Sequence, residues 1–332
     1  MKRQADDSSV LAGDIGGTKT NLAVFGQGEA RPETLYQQTY PSREFASLEA
    51  IIERFLDSYP DPIDAACFGI AGPVADGCSK TTNLPWTVSE RSLQDRFHWS
   101  RVRLLNDVAV TARGIPSLQP GETVRLNEPD PRPGAPIGLV APGTGLGQAL
   151  LVFADHRPVP LASEGGHADF APGTEEEVRL WRFLLQQHGH VSLERVISGP
   201  GLEAIYSFLK QDGGFEEPGW LRDRLTQSDP PKVISEIGLQ DGHPLCVTAL
   251  DMFCRMLANT CGNLALTGLT RGGLYLGGGI PPKILPKLRQ GAFLEAFCNK
   301  GRFRDLLRSI PLLVITNDRT ALLGAAQEAL SL

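Results

Sequence analysis

Two stretches of this chain set a glycine-rich turn between two apolar strands, and no other feature limits its folding as strongly. In the first, residues 9–14 and 21–25 read as strands around Asp14-Ile15-Gly16-Gly17-Thr18. In the second, residues 137–142 and 148–153 flank Gly143-Thr144-Gly145-Leu146-Gly147. A displacement of 128 positions lays one unit on the other, matching Gly17 to Gly145, Leu22 to Leu150, Val24 to Val152 and Phe25 to Phe153. The echo fits two related halves, each presenting a tight turn.

Around these units strands alternate with helices. Residues 45–59 carry Leu48, Ile51, Ile52, Phe55 and Leu56 at helical spacing, the mark of an amphipathic helix. Short strands are expected at 65–71 and 102–105, with a helix after Asp107. Residues 116–136 hold proline and glutamate without periodicity and read as a domain junction. Helices follow at 175–187 and 245–266, then a strand at 273–276 running into Gly277-Gly278-Gly279, a last strand at 312–316, and a helix from Thr320. The reading is an α/β protein, and 332 residues suit two domains.

Charge and cysteine usage narrow the partners. A formal net charge of −6 gives no general attraction to a phosphate polyanion, so no nucleic-acid partner is expected. The first ten residues have no apolar core of a secretory signal. No apolar run approaches the length of a membrane span, so no membrane partner is expected. The six cysteines show no CxxC or CxC spacing and read as small buried hydrophobes of a reducing cytosol. Glycine is in excess, with 36 residues, about 11% of the chain against a usual share of roughly 7%.

The turns suggest where that excess is used. Gly16 and Gly17 leave backbone N–H groups unshielded, a cradle for phosphate oxygens. Thr18 could add a hydroxyl, Lys19 a positive charge, and Asp14 a hold on hydrated Mg²⁺. A plain hairpin turn explains the same glycines. Gly143, Thr144, Gly145 and Gly147 form the second such turn, and Gly277, Gly278 and Gly279 offer a third surface for close approach. In Asn106-Asp107, at the end of an apolar strand, Asp107 could take a proton from a substrate hydroxyl, or the pair could simply cap the next helix. Glu164, His167 and Glu194 supply acceptors and donors suited to vicinal hydroxyls, although a surface histidine and a solvated glutamate explain two of them as well.

Taken together, GDIGGT (13–18), LLND (104–107), PGTGLG (142–147), EGGHADFAP (164–172), HVSLERVISGPGL (190–202) and GGGI (277–280) resemble the bacterial glucokinases. These form the branch outside the ROK kinases in the sugar kinase, heat-shock chaperone and actin superfamily. The zinc loop CxCGxxGC of the ROK kinases is absent. The resemblance implies a two-domain actin-like ATPase (ribonuclease H-like) fold with a deep interdomain cleft. It implies a small domain of 1–117 plus 318–332 and a large domain of 118–317. It also implies ATP and Mg²⁺ phosphorylating O6 of glucose, with Asp107 as catalytic base. Asn106, Asp107, Glu164, His167 and Glu194 would hold the sugar, the turns 14–19 and 143–147 the phosphates, and 277–279 would lie near the adenosine. Family members are commonly homodimers. Two other readings are a kinase for another hexose and a sugar sensor without catalysis; the residues before Ser9 are too few for the DNA-reading module a regulator needs.

Overall fold

Apolar residues at successive positions of the first strands call for a sheet covered on both faces, because neighbours in a strand point to opposite sides. The computed structural model describes residues 9–81, 83–212 and 214–332. In it β1 (Ser9–Ile15) sends Leu11 and Ile15 into one apolar cluster, Val10 and Ala12 into another. β2 (Lys19–Gly26) divides in the same way, Leu22 and Val24 against Ala23 and Phe25. With β3 (Glu33–Pro41), β4 (Ala65–Ile70) and, after a small sheet of β5 (Val74–Ala75), β6 (Cys78–Lys80) and β7 (Thr87–Ser89), β8 (Val102–Asn106), they form a five-stranded sheet ordered β3-β2-β1-β4-β8. The β1–β2 pair is antiparallel; β1, β4 and β8 run parallel. Their register pairs Ile15 with Ile70 and Ile70 with Asn106, so the C-terminal ends of the three parallel strands meet at one edge.

Each face of this sheet has its own helix. Leu48–Leu56, capped by Ser47 Oγ accepting from the Ala50 N–H at 3.3 Å, buries Leu48, Ile51, Ile52 and Phe55 on one side. The C-terminal helix Thr320–Ser331 buries Leu322, Leu323, Ala325, Ala326 and Ala329 on the other. It lies very close to the helix Asp107–Gly114, since a Cβ on Gly324 would stand 1.8 Å from the Val110 carbonyl oxygen. Only glycine allows that approach. Arg113 crosses the contact to Glu328 at 3.3 Å with both side chains largely buried. Burial lowers the Arg113 pKa, and the Glu328 carboxylate works against that shift.

The other large sheet is six-stranded, ordered β12-β11-β10-β13-β14-β9. Its strands are β9 (Thr123–Arg125), β10 (Ile137–Pro142), β11 (Leu146–Ala154), β12 (Arg157–Ser163), β13 (Leu274–Leu276) and β14 (Leu312–Ile315). β10, β13 and β14 are parallel, pairing Val140 with Leu276 and Leu276 with Val314. The apolar helix Pro244–Gly268 runs through the largest core cluster, with Leu250, Phe253 and Leu257 fully buried. A helix apolar nearly all round belongs inside a core.

The described residues fall into two compact units, one running up to Glu122 with Leu151–Ala162 and Asn317–Leu332, the other Thr123–Leu150 with Ser163–Thr316. Leu151–Ala162 thus groups with the first unit, where the sequence expectation had 118–317 together. Glu122 is the last residue before the first crossing and Asn317 the first after the return. The Glu122 carboxylate accepts from the Arg31 guanidinium at 2.8 and 3.0 Å, from the Gln119 N–H at 2.8 Å and from Asn317 Nδ2 at 2.9 Å. Burial alone would raise its pKa; these donors outweigh burial, and the net direction is down.

Candidate active site

The first unit gathers two of the expected motifs at the C-terminal edge of its parallel strands, where open α/β sheets bind ligands. Asp14 stands next to the end of β1, with Oδ2 accepting from Asn21 Nδ2 at 3.3 Å. Its burial raises the carboxyl pKa above the ordinary 3.8, and the Asn21 bond offsets part of that. The turn that follows closes on itself through the Gly16 N–H and the Lys19 carbonyl, 3.0 Å apart. The Thr18 and Lys19 residues are exposed.

Ser42 holds this turn from outside. Its N–H donates to the Thr18 carbonyl at 3.0 Å, its Oγ to the Gly16 carbonyl at 2.8 Å, and its hydroxyl also meets Thr20 Oγ1 at 2.9 Å. Sequence reasoning missed Ser42. It lies 26 positions from Gly16, and a serine after a proline carries no signal of what it will reach. Gly17 is pressed by the Asn83 side chain, whose Cβ would lie 2.7 Å from a Cβ added there.

The Asn106-Asp107 pair divides its work. Asn106 is the cap of Asp107–Gly114, its Oδ1 accepting from the N–H groups of Val108 at 3.0 Å and Ala109 at 3.2 Å. Its Nδ2 donates to the Gly72 carbonyl at 3.2 Å. Asp107 is the first residue of the helix, and its Oδ1 also accepts from the Val108 N–H, at 2.9 Å. The capping explanation therefore applies to Asn106, while Asp107 puts a carboxylate on the helix N-terminus, where negative charge is favoured.

The second unit brings the remaining motifs together. The turn between β10 and β11 closes through the Gly143 N–H and the Gly145 carbonyl at 2.8 Å. Glu194, in the short 3-10 turn Leu193–Arg195, accepts from the Leu146 N–H at 2.9 Å through Oε2. The Gly199 N–H donates to the Gly143 carbonyl at 2.9 Å. Gly278 adopts φ +76°, and a Cβ there would meet the Pro142 carbonyl oxygen at 2.5 Å, so Gly278 is pressed against the strand end that enters the same turn. A Cβ on Gly166 would stand 2.0 Å from the Leu146 carbonyl oxygen. The glycines of Glu164-Gly165-Gly166-His167 give room to β11.

Beside them Glu164 and His167 face outward. The His167 Nε2 is 4.0 Å from Glu164 Oε2, with both side chains more than half exposed. His190 Nε2 meets Asp169 Oδ1 at 2.9 Å on the same segment pair, whose backbones join at Asp169 and Ser192. Each unit therefore presents one glycine turn with carboxylates beside it. Among the described residues no group of three or more His, Cys, Asp or Glu side chains could hold a metal ion, and no helix is long and apolar enough to cross a membrane.

The architecture is that of a two-domain α/β sugar kinase. A solved glucokinase from an Antarctic psychrotroph superposes with a TM-score of 0.87 at 31% identity, covering 99% of this chain and 100% of its own. The sequence profile of the family described as Glucokinase matches residues 11–331. A glucokinase of Nostoc punctiforme is 40% identical over 333 residues, 96% of this chain and 97% of that protein. One of Yersinia enterocolitica is 37% identical over 96% of this chain and 95% of its own. The chain belongs to the glucokinase family, enzymes whose reaction is the ATP-dependent phosphorylation of glucose.

Proposed function

We propose that Asp107 is the general base of glucose phosphorylation at O6, with Mg·ATP as the phosphoryl donor. The carboxylate takes the proton of the 6-hydroxyl as O6 forms its bond to the γ-phosphorus. The bond from that phosphorus to the β,γ-bridging oxygen breaks, and ADP leaves. Phosphoryl transfer of this kind relies on positioning and charge neutralisation rather than on covalent work by the protein. The observation that carries the reading is a carboxylate on the first residue of the helix that follows β8, with Asn106 capping that helix beside it.

The other site residues take the roles that their chemistry suits. Glu164, His167 and Glu194 hold sugar hydroxyls, joined by Asn106 through the amide hydrogen it does not spend on Gly72. The N–H groups of Gly17 and Thr18, with Lys19, meet phosphate oxygens from one turn, which the Gly16 N–H closes; Thr144, Gly145 and Gly147 do so from the other, which the Gly143 N–H closes. Gly277, Gly278 and Gly279 give the adenosine a flat approach. Asp14 fits a hydrated Mg²⁺ carried by the nucleotide. Mg²⁺ keeps several waters and asks for only one or two carboxylates, and a carboxylate whose ionisation is opposed by burial gains from a nearby cation. When bound, that ion would offset the charge gathering on the phosphate oxygens.

A cytoplasmic homodimer completes the proposal, and light scattering on the purified chain tests the dimer. The activity is tested with ATP, Mg²⁺ and a panel of hexoses in a coupled assay. Glucose is expected to give the highest kcat/KM; a higher value for another hexose, or no turnover on any, overturns the assignment. Asp107→Asn is expected to keep glucose binding and to lose on the order of 10²–10⁴-fold in kcat. Near-normal turnover in that variant removes Asp107 from the role of base.

A further inference from the structure

One carboxylate in the second unit touches both halves of the proposed chemistry. Glu194 Oε2 accepts the Leu146 N–H of the phosphate turn at 2.9 Å, while Oε1 takes no hydrogen bond from any described residue. The absence of a side chain at Gly145 makes room for this arrangement, because a Cβ there would stand 2.5 Å from the same Oε2. The segment that carries Glu194 is bonded to the turn a second time, by the Gly199 N–H on the Gly143 carbonyl at 2.9 Å. It is also braced internally: Ser198 Oγ donates to the Glu194 carbonyl at 2.8 Å and accepts from the Gly201 N–H at 3.0 Å. Glu194 is thus fixed at its backbone, and its carboxylate is engaged by the described residues through Oε2.

We propose that Glu194 is a positioning residue for the second phosphate turn as well as a sugar ligand, so that one carboxylate couples sugar binding to nucleotide binding. This rests on the proposed sugar and phosphate roles of the two motifs. A sugar hydroxyl on Oε1 selects the side-chain orientation that leaves Oε2 on the Leu146 N–H. The turn is then already ordered when the nucleotide arrives, and ordering done by one ligand need not be repeated by the other. Linkage makes the effect reciprocal: bound nucleotide tightens the sugar site by the same factor.

The test measures the Kd of the non-hydrolysable analogue AMPPNP with Mg²⁺ by calorimetry on the intact chain, without and with saturating glucose. In the wild type glucose is expected to tighten AMPPNP by about fivefold or more, the lower range of coupling between sites. Glu194→Ala is expected to weaken AMPPNP about tenfold even without sugar, the loss of one hydrogen bond to a charged acceptor, and to abolish the effect of glucose. Glu194→Gln keeps an oxygen for the Leu146 N–H, so AMPPNP affinity returns toward the wild type while glucose affinity stays weakened.

Gly145→Ala supplies a second route. Its Cβ displaces the Glu194 carboxylate without removing it, so glucose binding is expected to weaken although Gly145 belongs to the phosphate turn. Thermal melts separate these effects from misfolding. An unchanged AMPPNP Kd in a folded Glu194→Ala variant overturns the proposal, as does an unchanged glucose Kd in Gly145→Ala. If the wild type binds neither glucose nor AMPPNP, the functional reading falls first and the coupling with it.

Discussion

The turn at 14–18 and the turn at 143–147 start from one local pattern, a strand end, closely spaced glycines and a second strand, yet they are held by different means. The first is held by neutral groups, Ser42 supplying three hydrogen bonds and the Ala71 N–H one more, to the Ile15 carbonyl at 3.2 Å. The second is surrounded by three distant segments: Glu194 and Gly199, Gly166, and Gly278. Its clamp includes a charged acceptor and two approaches that only glycine permits. The contrast separates a turn held largely by one residue from a turn that several motifs build together, and it predicts unequal responses to substitution.

The largest response is expected at Gly166. In Gly166→Ala the new Cβ would meet a backbone oxygen at 2.0 Å, so β11 or the Glu164–His167 segment must move. A displacement on the scale of an ångström costs about 100-fold in rate. The coupled assay should show a loss of that order in kcat/KM for both ATP and glucose. A loss within threefold would mean that the second turn is not built as described. Ser42→Ala should be milder, lowering stability by about 1–3 kcal/mol because the Gly16 carbonyl loses its donor and the buried Thr20 hydroxyl its acceptor. Denaturant titration measures that cost. The KM for Mg·ATP should rise while that for glucose holds, and a reversed pattern would assign Ser42 elsewhere.

The smallest response concerns Asp14 and acts on stability with a predictable sign. A carboxyl whose folded pKa is raised contributes stability below the ordinary value of 3.8 that is lost as the pH climbs through the folded value. Near neutrality the burial of the Asp14 carboxyl therefore opposes folding. Asp14→Asn should melt higher than the wild type at neutral pH, with the gap closing as the pH falls below 3.8, while activity with Mg·ATP drops. Equal melting curves at every pH would remove burial as the cause of the shift.

Much of this was legible in the chain where chemistry is local. The strand at 137–142 has the bounds expected for it. The helix expected from Thr320 runs to Ser331, and the apolar helix expected over 245–266 spans Pro244–Gly268. Two edge strands, β3 and β12, escaped. β3 reads Glu-Thr-Leu-Tyr-Gln-Gln-Thr-Tyr-Pro and is mostly exposed, so it carries no alternation to detect. β12 contains two prolines and packs only lightly, with Val159 and Leu161 exposed. The site motifs announced themselves by residue type, and the resemblance gave them roles. What holds them could not be read, because Ser42 on Gly16 and Glu194 on Leu146 are contacts across 26 and 48 positions. Spacing along a chain says nothing of such meetings until the sheets set them.

The Glu122 carboxylate has a consequence for how the polypeptide tolerates change. The chain departs after Glu122 and comes back at Asn317, and the two side chains are bonded. Apart from Leu151–Ala162, which groups with the first unit, the excursion in between belongs to the second unit, and its two ends are stapled at the root. The entropy of closing such a loop grows only with the logarithm of its length, about 0.6 kcal/mol for each doubling. Lengthening a surface loop anywhere in the excursion therefore adds little to the cost of joining its two ends. A fold stitched in this way can acquire insertions in its second unit, and so diversify what it binds there, without unpicking the first.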